Sequence, residues 1–337
     1  MSTQKRLVWL DALKGIGILS IMRVHMLGPM EYIQSMVFIG AVAMFFIAAG
    51  FNFRYSSNPA EDIVKKAKRL LLPYFIYSLL LLLLEHRMNH NTLIQLIGIV
   101  YARMQLYHNT TEGNISFLTI GNAPMWFLPC MFLSYVWIYL FYIPRRKSIE
   151  KTIVLLSFVI LSIILSLFPV MLPWSIDTSF ILAFLLIIGY ECRTVFLKTK
   201  MAYMILSAIL WVIILEFFGG GNISIGEYGK YGIYSIALFV IVTLSETYTL
   251  SAIFQRIEKF WIVKPFAYLG RNSLRLMCIH LVLYYRVYNI LNPVVEGFVY
   301  SKYILLSSSF FVILTCNYLI QVIIDKQKTK FSVLRYL

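Results

Sequence analysis

Leu10-Asp11-Ala12-Leu13-Lys14-Gly15-Ile16-Gly17-Ile18-Leu19-Ser20-Ile21-Met22-Arg23-Val24-His25 is an apolar stretch that carries Asp11, Lys14, Arg23 and His25. It is long enough to cross most of a bilayer as a helix. Ionisable groups at that depth are costly and point to function. Lys14 and His25 are eleven residues apart. At about 100° per residue they return to nearly the same helix face, about 16 Å apart along the axis. Arg23 falls roughly 180° from Lys14, away from that face. Asp11 is three residues before Lys14, a neighbour spacing that also allows the two to neutralise each other while Lys14 snorkels. Gly15 and Gly17 permit close approach by another backbone or a ligand. The segment lacks a small-residue cleavage site, so it reads as a retained span rather than a leader.

The rest of the chain repeats the apolar pattern. Of its 337 residues, 60% are hydrophobic and 13% charged, where a soluble domain is nearer a quarter charged. The expected fold is all-α, a polytopic membrane protein of about ten transmembrane helices at 10–28, 35–53, 70–85, 124–143, 151–169, 178–192, 201–218, 231–250, 272–291 and 301–324. The net charge of +15 is mostly topology rather than a nucleic-acid footprint. With the N-terminus in the cytoplasm, only Arg87, Arg103, Lys230 and Lys302 fall in outside connections. That bias places both termini in the cytoplasm. Residues 1–337 form one membrane-embedded domain. Its longest connection, 86–123, lies outside and has an apolar middle, Leu93 to Met104, suited to an interfacial or re-entrant segment.

Several motifs carry chemistry, each beside a plainer reading. His25 is a general-base candidate, because imidazole titrates near working pH, or a satisfied buried histidine. His280 is the other histidine within a span. No carboxylate is at helix spacing from His25, and Cys130, Cys192, Cys278 and Cys316 lack ligand spacing and read as small apolar packing residues, so no metal is expected. Lys65-Lys66-Ala67-Lys68-Arg69 stands before Leu70-Leu71-Leu72-Pro73-Tyr74 at the cytoplasmic mouth of span three. It is either a topology anchor in contact with anionic lipid or a clamp for a phosphorylated ligand. Gly270-Arg271-Asn272-Ser273 opens span nine, either as an ordinary cap or as an anion-binding helix start with Arg271. Trp126 begins span four as an interface anchor. Asp177 begins span six, where it either starts a helix or meets a polar acceptor.

These motifs, in this order, resemble the integral-membrane acyltransferase-3 family, particularly its fucose-acetylase-like members that decorate bacterial surface polysaccharides. The resemblance runs from Leu10–Ile16 and His25 through Met44-Phe45-Phe46-Ile47-Ala48-Ala49-Gly50-Phe51 and Lys68-Arg69-Leu70-Leu71-Leu72-Pro73-Tyr74. It continues through Met125-Trp126-Phe127-Leu128, Leu172 to Asp177, and Tyr268-Leu269-Gly270-Arg271-Asn272-Ser273-Leu274 with His280. It implies an O-acetyltransferase of the bacterial cytoplasmic membrane. The donor would be cytoplasmic acetyl-CoA, and the acceptor a hydroxyl of a surface polysaccharide or lipid-linked glycan precursor. His25 and Lys14 would be catalytic. Lys14, Lys68, Arg69 and Arg271 would hold the donor, and Asp177, Trp126 and His280 the acceptor.

The chain departs from the family where Lys14 replaces a common arginine, Ala49 replaces serine before Gly50, and lysines stand where a second arginine precedes the proline. Lysine keeps charge but loses bidentate phosphate geometry. No soluble esterase-like extension follows the last span, which leaves transfer to the membrane domain. The rival from another class is a glycan or lipid-linked oligosaccharide exporter, since many spans with intramembrane charges fit that too. Expected partners are acyl-CoA, the glycan acceptor and membrane lipid, with no nucleic acid.

Overall fold

The computed structural model describes residues 6–27, 39–84, 92–107, 115–117, 123–219, 223 and 230–327. His86, His90, His108, the polar tract 109–114 and the basic tail beyond 327 lie outside these residues. Described residues are overwhelmingly helical. The helices are α1 (Val8–Leu27), α2 (Ala41–Phe51), α3 (Pro59–Leu84), α4 (Thr92–Tyr101), α5 (Phe127–Trp137, continued by a π turn Ile138–Tyr142), α6 (Ser148–Ser166) and α7 (Ile176–Glu191). They continue as α8 (Arg193–Leu197), α9 (Met201–Phe218), α10 (Tyr234–Ile257), α11 (Val263–Arg271), α12 (Ser273–Val295) and α13 (Ser301–Gln327). Among the described residues seven helices are long and apolar enough to cross a membrane, starting at Pro59, Pro124, Ser148, Pro173, Met201, Tyr234 and Ser301. The protein is a multi-pass membrane protein. α1 and α12 cover two more expected spans, and α2 is short.

Helix α3 starts eleven residues before the expected edge of its span. Pro59 suits a first turn, Glu61 and Asp62 complement the helix dipole, and Asn58 Oδ1 accepts the Glu61 N–H at 3.3 Å. The basic cluster therefore lies on the helix rather than before it. Lys66 and Arg69, three apart, share one face, and Lys68 points elsewhere.

Small residues let the central helices touch backbone to backbone. A Cβ on Gly50 would lie 1.8 Å from the Leu186 carbonyl oxygen, and one on Gly189 would lie 2.1 Å from that of Ile47. These paired contacts make α2 and α7 antiparallel. Gly15 of α1 likewise meets Phe266 of α11, while Gly270 meets Asp11, so α1 and α11 are antiparallel and equally close. Without a hydrophobic drive between helices in lipid, such close packing supplies much of the association. Around these contacts Leu13, Ile18, Met44 and Phe46 are fully buried. α6 and α9 lie at the edge, each with only 11% of its apolar window buried against protein.

Candidate functional site

The amino end of α1, the amino end of α12, the second and third turns of α3, the carboxy half of α2 and the start of α5 enclose a cavity of about 260 Å³. The cations lining it are Arg6, Lys14, Lys66, Arg69 and Arg271, and no carboxylate lines it among the described residues. Phe45, Leu70, Phe127, Leu128, Met131 and Met277 form its apolar wall. A groove with one sign of charge and low-dielectric walls focuses the field on an anion. Phosphate groups, which accept charge-assisted hydrogen bonds from Arg and Lys, suit that field.

Each cation is held by its own local structure. The buried carboxylate of Asp11 accepts from Arg6 and pairs with Lys14 Nζ at 2.8 Å. The neutralising pair and the cavity lining are thus both true of Lys14. Lys66 Nζ lies over the rings of Tyr135 at 4.4 Å and Phe53 at 5.8 Å. Arg69 lies one turn on, beside Leu70. Lys68 is exposed and does not line the cavity. The helical register of α3 substitutes Lys66 for it. Arg271 and Ser273 flank Asn272, which caps no N–H of α12 with its side chain and instead donates Nδ2–H to the Tyr268 carbonyl at 2.9 Å. The close fit of Gly270 on Asp11 holds the end of α11, with Arg271, at the cavity that Lys14 also lines. A Cβ on Gly270 would lie 1.8 Å from the Asp11 carbonyl oxygen.

Deeper along the same two helices stand the two histidines. Ser273 and Met277 line the cavity, and His280 follows one turn after Met277. Its ring centroid is 5.4 Å from that of His25, with the planes inclined at 45°. His280 is fully buried. Its Nδ1 is 2.9 Å from the Leu276 carbonyl oxygen and 3.0 Å from that of Met277. Carbonyls only accept, so Nδ1 carries the hydrogen and Nε2 presents a lone pair. That Nε2 has no hydrogen-bond partner among the described residues. His25 is half-buried, and Arg23 is exposed on the opposite side of α1. The structure therefore brings together Lys14, Arg69 and Arg271 at the cavity, and His25 with His280 beyond it.

Asp177 is elsewhere and is fully occupied. It is 1% exposed and is bonded by the Arg103 guanidinium. It also accepts from the N–H of Leu172 at 3.2 Å and from the N–H and hydroxyl of Thr178 at 2.7 and 3.0 Å. Around it Tyr101 donates to the Met171 carbonyl and Trp174 Nε1 to that of Val100, at 2.7 and 2.8 Å. Ala102, Trp174 and Ser175 take positive φ here. The Leu172–Asp177 motif fastens α4 to the start of α7. Trp126 is half-buried in the turn Ala123–Trp126, which packs on α12, and it does not line the cavity, whereas Phe127 and Leu128 do.

The sequence reading did not single out Arg6 as a site residue, and from the basic cluster it chose Lys68 rather than Lys66, which a helix drawn from Pro59 would have signalled. It also passed over two buried charged residues within spans. Arg275 donates to the Asn317 carbonyl and to Gln321 Oε1, at 3.2 and 2.5 Å, joining α12 to α13. Glu246 of α10 is fully buried and accepts the Gly40 N–H at 3.1 Å. Both were legible as ionisable residues inside apolar runs.

A family model described as an acyltransferase domain matches residues 7–322, nearly the whole chain. The chain belongs to the acyltransferase-3 family. No curated protein and no solved structure matches it. As an acyltransferase-3 protein it is a membrane acyltransferase. Apart from Arg6, the residues lining the cationic cavity lie within the matched residues, as does the histidine pair.

Proposed function

We propose that this acyltransferase moves acetyl from cytoplasmic acetyl-CoA to a hydroxyl of a surface polysaccharide or its lipid-linked precursor. It would do so in the bacterial cytoplasmic membrane with both termini in the cytoplasm. The observation that carries the reading is the joined geometry: a cationic cavity whose wall reaches Met277, one helical turn from the His25–His280 pair. The five cations suit the phosphates of CoA, and the apolar wall suits its thioester arm. Phosphate binding far from the reacting atoms positions the thioester for attack. Among the described residues no carboxylate lines the cavity, and the nearby Asp11 carboxylate is already paired with Arg6 and Lys14.

His25 then acts as general base. It removes the acceptor hydroxyl proton as oxygen bonds to the thioester carbonyl carbon. The tetrahedral intermediate collapses with cleavage of the C–S bond, and the CoA thiolate recovers the proton from the imidazolium. His280 supports this as a positioning residue. Its Nε2 lone pair is suited to accept an N–H from the neighbouring imidazole, which leaves the other nitrogen of His25 as the base.

The test is His25→Ala, compared with His280→Asn and Lys14→Arg, measuring acetyl transfer at saturating donor together with CoA affinity. His25→Ala is expected to lose about 10²–10⁴-fold in rate with CoA affinity unchanged. His280→Asn should cost less. Lys14→Arg keeps the charge and should be tolerated. Full activity in His25→Ala with loss in His280→Asn would remove His25 from the chemistry. Accumulation of acetylated His25 on rapid mixing would make it an acyl carrier instead.

A further inference from the structure

Beyond His280, helix α12 carries Tyr284 and Tyr288, four and eight residues on and therefore successive steps along roughly the same side. The Tyr284 ring lies 5.9 Å from that of Tyr288 at 49°, and 5.4 Å from that of Tyr285 at 59°. Tyr284 and Tyr288 are half-buried, and Tyr285 is 37% exposed. None of the three hydroxyls makes a hydrogen bond among the described residues. Arg286, in the middle of the set, donates to the Leu84 carbonyl at 2.7 Å and pins this part of α12 to the last turn of α3. The result is a fixed, inclined set of aromatic faces with free hydroxyl rims. It continues the α12 line on the side of the histidines away from the cationic cavity.

We infer that Tyr284, Tyr285 and Tyr288 form the platform for a sugar ring of the acceptor, delivering its hydroxyl toward His25. The inference rests on the acetyltransferase reading and adds where, and by what chemistry, the acceptor is held. A pyranose offers apolar C–H faces and a rim of hydroxyls. Tyrosine matches both, with a large apolar face and a polar tip. Continuity with the histidines is the deciding feature. The buried Nε2 of His280, without a hydrogen-bond partner among the described residues, belongs to a side chain one helical turn from Tyr284. Asp177, the carboxylate expected from sequence to meet the acceptor, is already consumed by Arg103 and Thr178. The competing role for these tyrosines is an interfacial belt that anchors the helix in lipid and recognises nothing.

The experiment uses the full chain in lipid nanodiscs with acetyl-CoA. The acceptors are octyl β-glycosides of glucose, galactose, mannose and fucose, with 1-octanol as an acceptor of equal tail and no sugar. Tyr284→Ala and Tyr288→Ala should each raise the KM for the best glycoside about tenfold. They should leave the KM for acetyl-CoA, the rate with octanol and the melting midpoint unchanged. Tyr284→Trp should recover part of the loss, since it restores a ring face. Equal loss with glycoside and octanol would overturn the platform, as would unchanged glycoside KM in both variants. Acceptance of no glycoside while acetyl-CoA is still consumed would overturn it too. Failure of the parent chain to bind or consume acetyl-CoA would instead strike the underlying acetyltransferase reading.

Discussion

Gly270→Ala isolates the packing that assembles the cationic cavity. The new Cβ would stand 1.8 Å from the Asp11 carbonyl oxygen and 2.8 Å from the Gly15 nitrogen, both rigid backbone. Carbon and oxygen cannot approach so closely, so α1 and α11 must separate by roughly 1 Å. Overpacking of this kind costs about 1–3 kcal/mol, and more where neither side can give. The displacement also shifts Arg271 relative to Lys14, since the two line the cavity from the two helices this contact joins. A misplacement of about 1 Å away from the chemistry can lower rate about 10²-fold. Gly17→Ala is the internal control. Its Cβ would stand 3.1 Å from the tip of the Phe45 ring and 3.4 Å from the Ala41 carbonyl oxygen, so a small ring movement accommodates it. The assay is the melting midpoint in detergent, with acetyl-CoA affinity and transfer rate in lipid. Gly270→Ala should lower all three, and Gly17→Ala should stay near the parent. A parent-like midpoint and affinity in Gly270→Ala would refute the claim that this contact builds the site.

Lys66→Ala should weaken acetyl-CoA binding and reduce its salt dependence, while Lys68→Ala should leave affinity nearly intact, because only Lys66 lines the cavity. Calorimetric titration at two salt concentrations checks this, and equal losses would count against the register assigned to α3. Asp177→Asn strands the Arg103 charge in a buried site and should destabilise by about 3–5 kcal/mol. Acceptor KM should not change in that variant; the opposite pattern would return Asp177 to substrate binding. Cysteines placed at Ser57 and at the exposed Val299 test topology in intact cells with an impermeant thiol reagent. Labelling is expected at position 299 and not at 57, and the reverse would invert the assigned orientation.

The sequence determined the class of this protein because bilayer solvation acts on local runs. Long apolar segments must become helices, because only helices and closed barrels satisfy the backbone in lipid. It also determined that Lys14 and His25 share a face, since that follows from the period of a single helix. The ordered motifs identified the family, and the match over residues 7–322 bears that out. The tertiary structure decided what depends on contacts between helices. Lys66 took the place of Lys68 because α3 begins at Pro59 and brings Lys66, rather than Lys68, onto the face turned to α5. Asp177 became a fastener because Arg103, distant in sequence, folds onto it. His280 joined His25 because Gly15 and Gly270 lock α11 against α1 and so set the adjoining α12 beside it. Pairings of this kind are fixed by which backbones can approach closely, a property of two surfaces together that neither segment carries alone.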